Sequence, residues 1–386
     1  MRGHLKERSP GHWSIVLDVR DPETGKRKRR WHSFRGTKRQ AEDERSRLIA
    51  EMRGGLYVDP SRVTLAQYFE RWLAHMASQL SPRGFERYTE IVRKNLVPAL
   101  GAVHLTKLRP AQIADAYTKA LTNGRRDGGG GLSPKTVVYM HQILKQALKQ
   151  AVDWQMLARN PASTVKPPKV ERKQMKTFDA DGTVALIETA RGTNLFMPIL
   201  LGACTGMRRG EMAALRWRHV SDACVSVVES AEQTKAGVRY KPPKSGKGRV
   251  VALPAMLAEE LRAHRVQQAQ ELLKIGVRLS GDTFVLARPD GTPYQPHYLT
   301  KAFERFLAAH GFPRIRLHDL RHTHATAMLK AGVHGKIVQE RLGHASISIT
   351  LDVYSHVVEG MQEDAAERFD ETLKTAMKKR RSEPIR

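Results

Sequence analysis

Residues His318 to Ala325 read HDLRHTHA, which places His318 and Arg321 three apart, close to one helical turn, so that both can face one site. Three other segments share its build, short and flanked by apolar residues. LGHAS runs from Leu342 to Ser346, LDVYSH from Leu351 to His356, and far upstream TGMRRGE runs from Thr205 to Glu211. Arg208, Arg321, His318, His344 and Tyr354 together make a set suited to a phosphodiester. Cations hold the non-bridging oxygens, an imidazole moves a proton, and a phenol attacks.

The residue types support that chemistry individually. A guanidinium forks onto two phosphate oxygens and stays charged at any working pH, as a developing pentavalent phosphorane requires. Arg208 follows Thr205-Gly206-Met207 at the expected start of a helix, where free N–H groups would add to its hold on an anion. Tyr354 needs help, because a free phenol has a pKa near 10; nearby arginines favour the phenolate. His318 and His322, four apart, could instead be metal ligands. The glutamate of an HExxH motif is absent, since Asp319 follows His318, so no metal is expected.

TGxRxxE, HDLRHT, LGH and a tyrosine ten residues after that histidine, in this order, resemble the tyrosine recombinases, the phage integrase family, over the chain from about Thr64 onward. The resemblance implies that Tyr354 forms a 3′-phosphotyrosyl bond with double-stranded DNA, that His318 takes the tyrosine proton, and that His344 donates to the scissile phosphate. Lys244, in KSGKGRVVALP, matches the general acid that protonates the leaving 5′ oxygen, with Lys241 and Lys247 as alternatives in the same loop. Glu211 resembles the acidic residue that orients the cationic site. No ATP, metal or other cofactor is implied. The family further implies a homotetramer acting on core and arm DNA sites, with an excisionase and a host DNA-bending protein as partners. A chromosome-dimer resolvase of the Xer type, a nicking topoisomerase, a DNA-binding regulator without activity and a metal-dependent nuclease are the alternatives. The remaining histidines of these segments, His322, His324 and His356, together with His334, are expected to be structural or to touch the DNA backbone.

Composition agrees with a nucleic-acid partner. The 386 residues carry 66 Lys and Arg against 39 Asp and Glu, a formal net charge of +27, which attracts a polyanion before any specific contact forms. Membrane attachment is not expected, because the longest apolar run, Phe196 to Cys204, falls far short of the roughly 20 residues that span a bilayer. With only Cys204 and Cys224, a disulfide framework is excluded, which fits a cytoplasmic, nucleoid-associated protein.

The chain reads as multidomain α+β. Residues 1–60 form a small β-sheet plus a helix: Trp13, Ile15, Leu17 and Val19 alternate as on a strand, DPETG turns the chain, and Trp31 and Phe34 lie on a second strand. Thr37 and Gln40 make a capping box for a helix with Ala41, Leu48, Ile49 and Met52 on one side. Lys26, Arg27, Lys28, Arg29 and Arg30 put cations on both faces of the strand, which suits a sheet laid against DNA; by resemblance this is an arm-type DNA-binding domain.

Residues 61–165 read as a four-helix bundle, by resemblance the SAM-like core-binding domain. Its helices start at Thr64, Ser81-Pro82, Pro110 and Ser133-Pro134. NGRRDGGGG, Asn123 to Gly131, is a flexible loop whose Arg125 and Arg126 are candidates for phosphate contact. Ser163 to Lys173 is an extended basic linker, long enough at roughly 35 Å for flanking domains to grip a duplex. Residues 166–386 form the catalytic domain, mainly α with a small sheet and a mobile basic tail at Lys378 to Arg381. Its strands are expected at Val225 to Val228, Arg249 to Leu253 and Thr283 to Ala287.

Overall fold

The computed structural model describes residues 2–20, 27–53, 62–171, 177–243, 246–348, 350–351 and 361–382. Two compact units divide the chain, residues 1–172 and 173–386.

The first unit begins with an antiparallel sheet in the order β1 (Arg2–Ser9), β2 (His12–Arg20), β3 (Arg27–Arg35), followed by α1 (Lys38–Arg53). The strand β1 is not evident in the sequence, because its polar run RGHLKERS offers only Leu5 to the core. Ile15 and Leu17 pack against Leu48, with Leu5, Phe34, Ile49 and Met52 around them. Thr37 and Gln40 cap α1 reciprocally, Gln40 N–H donating to Thr37 Oγ1 at 3.3 Å and Thr37 N–H to Gln40 Oε1 at 2.9 Å.

Along β3, Arg29, Trp31, Ser33 and Arg35 are exposed, while Arg30, His32 and Phe34 are half-buried. Trp31 therefore stands out at 54% exposure, with the Arg8 guanidinium 5.8 Å from its ring centre. The DPETG turn and Lys26 lie outside the described residues, as do the side chains of Arg27 and Lys28.

A separate apolar cluster forms the helical bundle of α2 (Leu65–Met76), α3 (Pro82–Ile91), α4 (Val97–Leu100), α5 (Pro110–Asn123) and α6 (Pro134–Asp153). Thr64 and Gln67 cap α2 as Thr37 and Gln40 cap α1. Buried Tyr68 donates its hydroxyl to Ala147 O at 2.5 Å, tying α2 to α6. Between α3 and α4 the chain widens to a π turn, Val92–Leu96, just before Pro98. A proline has no N–H for the carbonyl four residues back. That carbonyl, Lys94 O, accepts Arg126 Nη2 at 3.2 Å instead. Arg125 is engaged as well, in an ion pair with Asp127 at 2.5 Å.

In the second unit α7 (Ala180–Ala190), α8 (Phe196–Thr205), α9 (Arg209–Ala214), α10 (Ala255–Lys274), α11 (Pro296–Ala309), α12 (Asp319–Lys330) and α13 (Gly335–Leu342) surround a core centred on α8, most of which is buried. Strands β4 (Cys224–Val227) and β7 (Arg249–Ala252) pair antiparallel, and they fall where the sequence predicts them to within a residue. Inserted between them is a hairpin of β5 (Ser230–Thr234) and β6 (Gly237–Lys241), which it does not predict.

Thr283 to Ala287 is not a strand. Only Phe284 and Ala287 make isolated bridges, to Arg216 and Pro293, because the neighbouring backbone does not run alongside far enough to form a ladder. At the C-terminus a helix, Met361–Ser382, carries Lys378 to Arg381 in regular structure rather than in an irregular tail. Among the described residues no helix is long and apolar enough to cross a membrane.

Candidate active site

The site grows from helix ends. Gly206, in left-handed conformation (φ 64°), ends α8 and turns the chain so that Arg208 becomes the N-cap of α9. A Cβ at Gly206 would lie 2.6 Å from Leu342 Cδ2, so α8 and α13 can meet only around a glycine. The Arg208 N–H donates to Glu211 Oε2 at 2.9 Å, which removes that one N–H from the groups expected to hold an anion at the start of the six-residue α9.

Glu211, 1% exposed, is enclosed by arginine. Its Oε1 accepts Arg208 Nη1 at 2.8 Å and Arg249 Nη1 at 3.0 Å, and its Oε2 accepts Arg249 Nη2 at 2.7 Å. Burial alone would raise its pKa; the bonds and charge of Arg249 and Arg208 outweigh it and hold the carboxyl below its ordinary value.

The end of α13 supplies the other side. The last carbonyls of a helix have no intrahelical donor and carry the negative end of its dipole. Here three successive ones each hold an arginine: Arg341 O accepts Arg249 Nε at 2.8 Å, Leu342 O accepts Arg321 Nη2 at 2.6 Å, and Gly343 O accepts Arg208 Nη2 at 3.0 Å. Arg321, 2% exposed, also donates to Gly206 O at 2.7 Å. Arg208 is the open one. Its side chain is 26% exposed, and two of the five N–H groups of a guanidinium are used, leaving three without a partner among the described residues.

Gly343, also left-handed (φ 67°), ends α13 and swings His344 back, its N–H reaching Gln339 O at 3.1 Å. His344 Nδ1 meets Thr350 Oγ1 at 2.8 Å. Burial and then the charges of Arg321 and Arg208 push its pKa down to about 4, so the ring is neutral at physiological pH.

His318 precedes α12 one turn from Arg321, its ring edge-on to His322 with centres 5.4 Å apart. Crowding, His322 and Arg321 press its pKa to about 4; its exposure to solvent tempers that shift without reversing it. Asp319 is held by Arg316 at 2.7 Å and 2.8 Å. His324 is structural: Nδ1 meets Ala203 O at 2.8 Å and Nε2 accepts Arg341 Nε at 3.0 Å. Among the described residues no three of His, Cys, Asp and Glu gather as metal ligands.

Arg208 and Glu211 thus share one bonded network with Arg249, Arg321 is held on the neighbouring carbonyl at the end of α13, and His344 follows that end directly, with His318 one turn from Arg321. Lys244 and Tyr354 lie outside the described residues, as does His356. Lys241 is ion-paired with Glu232 across the β5–β6 hairpin. Arg249 and Arg341 escape sequence reading. The only signal for Arg249 is its position as the basic residue that opens RVVALP.

Residues 175–360 match the Phage integrase family and residues 64–121 the phage integrase N-terminal SAM-like domain. The chain belongs to the tyrosine recombinases of the phage integrase family.

The recombinase is 28% identical to a tyrosine recombinase XerC-like protein of Caldanaerobacter subterraneus subsp. tengcongensis, over 93% of this chain and 96% of that one. To the ICEBs1 integrase of Bacillus subtilis it is 26% identical, over 92% and 95%. Its fold is similar to that of the Tn1549 transposon integrase in complex with transposon right end DNA (TM-score 0.66, 18% identity, 80% of this chain and 99% of that one). It is also similar to a lambda integrase dimer bound to a core site (TM-score 0.58, 19% identity, 90% and 93%).

Proposed function

We propose that this site-specific recombinase cleaves and rejoins double-stranded DNA with Tyr354 as nucleophile, integrating or excising a mobile element. The observation that carries the reading is the end of α13, where the carbonyls of Leu342 and Gly343 hold Arg321 and Arg208 and the chain turns directly into His344. Arg208 offers its remaining N–H groups to a non-bridging oxygen, and Arg321 adds a buried positive charge. With the Thr350 hydroxyl donating to Nδ1, His344 carries its proton on Nε2 and donates to the same phosphate. Neutral His318 accepts the Tyr354 proton as the Tyr354 Oη–P bond forms and the P–O5′ bond breaks, and Lys244 protonates the departing 5′ oxygen. The attack of another 5′ hydroxyl reverses these steps.

Residues 166–386 carry this chemistry, residues 61–165 bind the core site, and residues 1–60 bind a separate arm site through the cationic face of β3. A homotetramer on two DNA sites, an excisionase and a host bending protein belong to the same reading and rest on the family likeness. The XerC-like relative supports a resolvase as the second reading, and the ICEBs1 integrase, matched over a similar share of the chain, supports the integrase.

Tyr354→Phe tests the assignment, because it deletes one oxygen and no charge. On a suicide core-site substrate it should bind DNA as before and form no covalent adduct. A protease-sensitive adduct from the Phe variant would overturn the reading.

A further inference from the structure

Arg249 opens β7 and has no part in the steps above, yet its side chain is only 10% exposed and every bond it makes points into the site. Two of its nitrogens fork onto Glu211, and the third is fixed on Arg341 O, one residue before the carbonyl that holds Arg321. A buried carboxylate seeks a bidentate partner. Glu211 has two arginines within reach, and Arg249 takes both of its oxygens while Arg208 reaches only Oε1 with its side chain.

We propose that Arg249 is a positioning residue for DNA cleavage: by forking onto Glu211 it confines the Arg208 guanidinium to one bond with that carboxylate and keeps the rest of it available to the scissile phosphate. The proposal rests on the reading of Arg208 as a phosphate-binding cation. Without the fork, Glu211 closes on a second Arg208 N–H and draws that cation away from its substrate. The bond to Arg341 O adds registration, since Arg249, Arg321 and Arg208 then sit on consecutive carbonyls of one helix end.

Arg249→Lys keeps the charge and loses the fork, and single-turnover cleavage of a suicide core-site substrate reads the result. The variant should bind the site with unchanged affinity and cleave about 10²-fold more slowly. A merely structural defect would slow every substrate alike. A methylphosphonate at the scissile position lacks the anionic oxygen that Arg208 neutralises, so the gap between the unaltered protein and the variant should narrow to a few-fold there. An undiminished gap, or unchanged cleavage of the ordinary diester, would overturn the proposal.

Should Arg249→Lys fail to fold, Arg249→Gln is compared with the double variant Arg249→Gln/Glu211→Gln. Removing the competing carboxylate should restore part of the lost rate, and a double variant slower than the single would count against the proposal. Adduct formation by the unaltered protein is read first on the same substrate. Its absence would remove the Tyr354 reading, whereas the variant ratios bear on Arg249 alone.

Discussion

Arg208 and Arg321 bring the same guanidinium into opposite surroundings, and their removal should fail in different ways. Arg321→Ala strands Gly206 O and Leu342 O in a buried setting, at about 1–3 kcal/mol for each unsatisfied group. Its urea midpoint should fall along with its cleavage rate. Arg208→Ala leaves Glu211 paired with Arg249, so the midpoint should move less while cleavage drops by about 10²-fold or more. Equal losses of stability in the two variants would contradict this division.

His324 gives the same scale a pH signature. Burial, then Arg341, depress its pKa from 6.5 to about 4, so between those values the unfolded chain binds the extra proton. Stability is therefore full above about pH 6.5 and declines as pH falls towards 4, by about 2 kcal/mol at pH 5 for this residue. His324→Gln, which can still accept from Arg341, should flatten the slope of urea midpoint against pH in this window.

The spacing in HDLRH was legible because residues three apart lie on nearly the same side of a helix with 3.6 residues per turn. Arg249 and Arg341 were not, because their partners lie 38 and 137 positions away and a lone cation in sequence resembles any surface charge.

At the scale of elements, the helix starts were the legible part. Thr64, Ser81 and Ser133 each accept an N–H of their own first turn, a local bond that local sequence encodes. The β5–β6 hairpin escaped notice because SAEQT and GVRYK are half-buried along most of their length and lack a clear apolar alternation. Helix ends proved more informative than helix interiors for the site. Gly343→Ala tests this. The left-handed backbone disfavours a side chain by roughly 1–2 kcal/mol, and the new Cβ would stand 3.0 Å from Arg249 Cδ. Cleavage should fall while core-site affinity holds, and an unaffected rate would show that the end of α13 tolerates displacement.

At the scale of the molecule, a sheet with its own apolar cluster precedes the bundle, and the proposed arm-site role of its charge can be tested apart from the chemistry. Deleting residues 1–60 should leave cleavage of an isolated core site intact and abolish recombination of a full attachment site at limiting protein. On full-site DNA the slope of log affinity against log salt should become shallower by about 0.9 for each phosphate that the shortened protein no longer neutralises. Coincident footprints from the full-length and shortened proteins would remove the arm-site assignment.

The three carbonyls at the end of α13 bear on how the enzyme is made. Arg208 and Arg249 leave the ribosome long before Arg341, Leu342 and Gly343, the groups that fasten them. A growing chain, or one abandoned midway through translation, therefore carries these cations before the helix end that sets their positions exists. Until α13 is complete, neither arginine has the carbonyl that holds it.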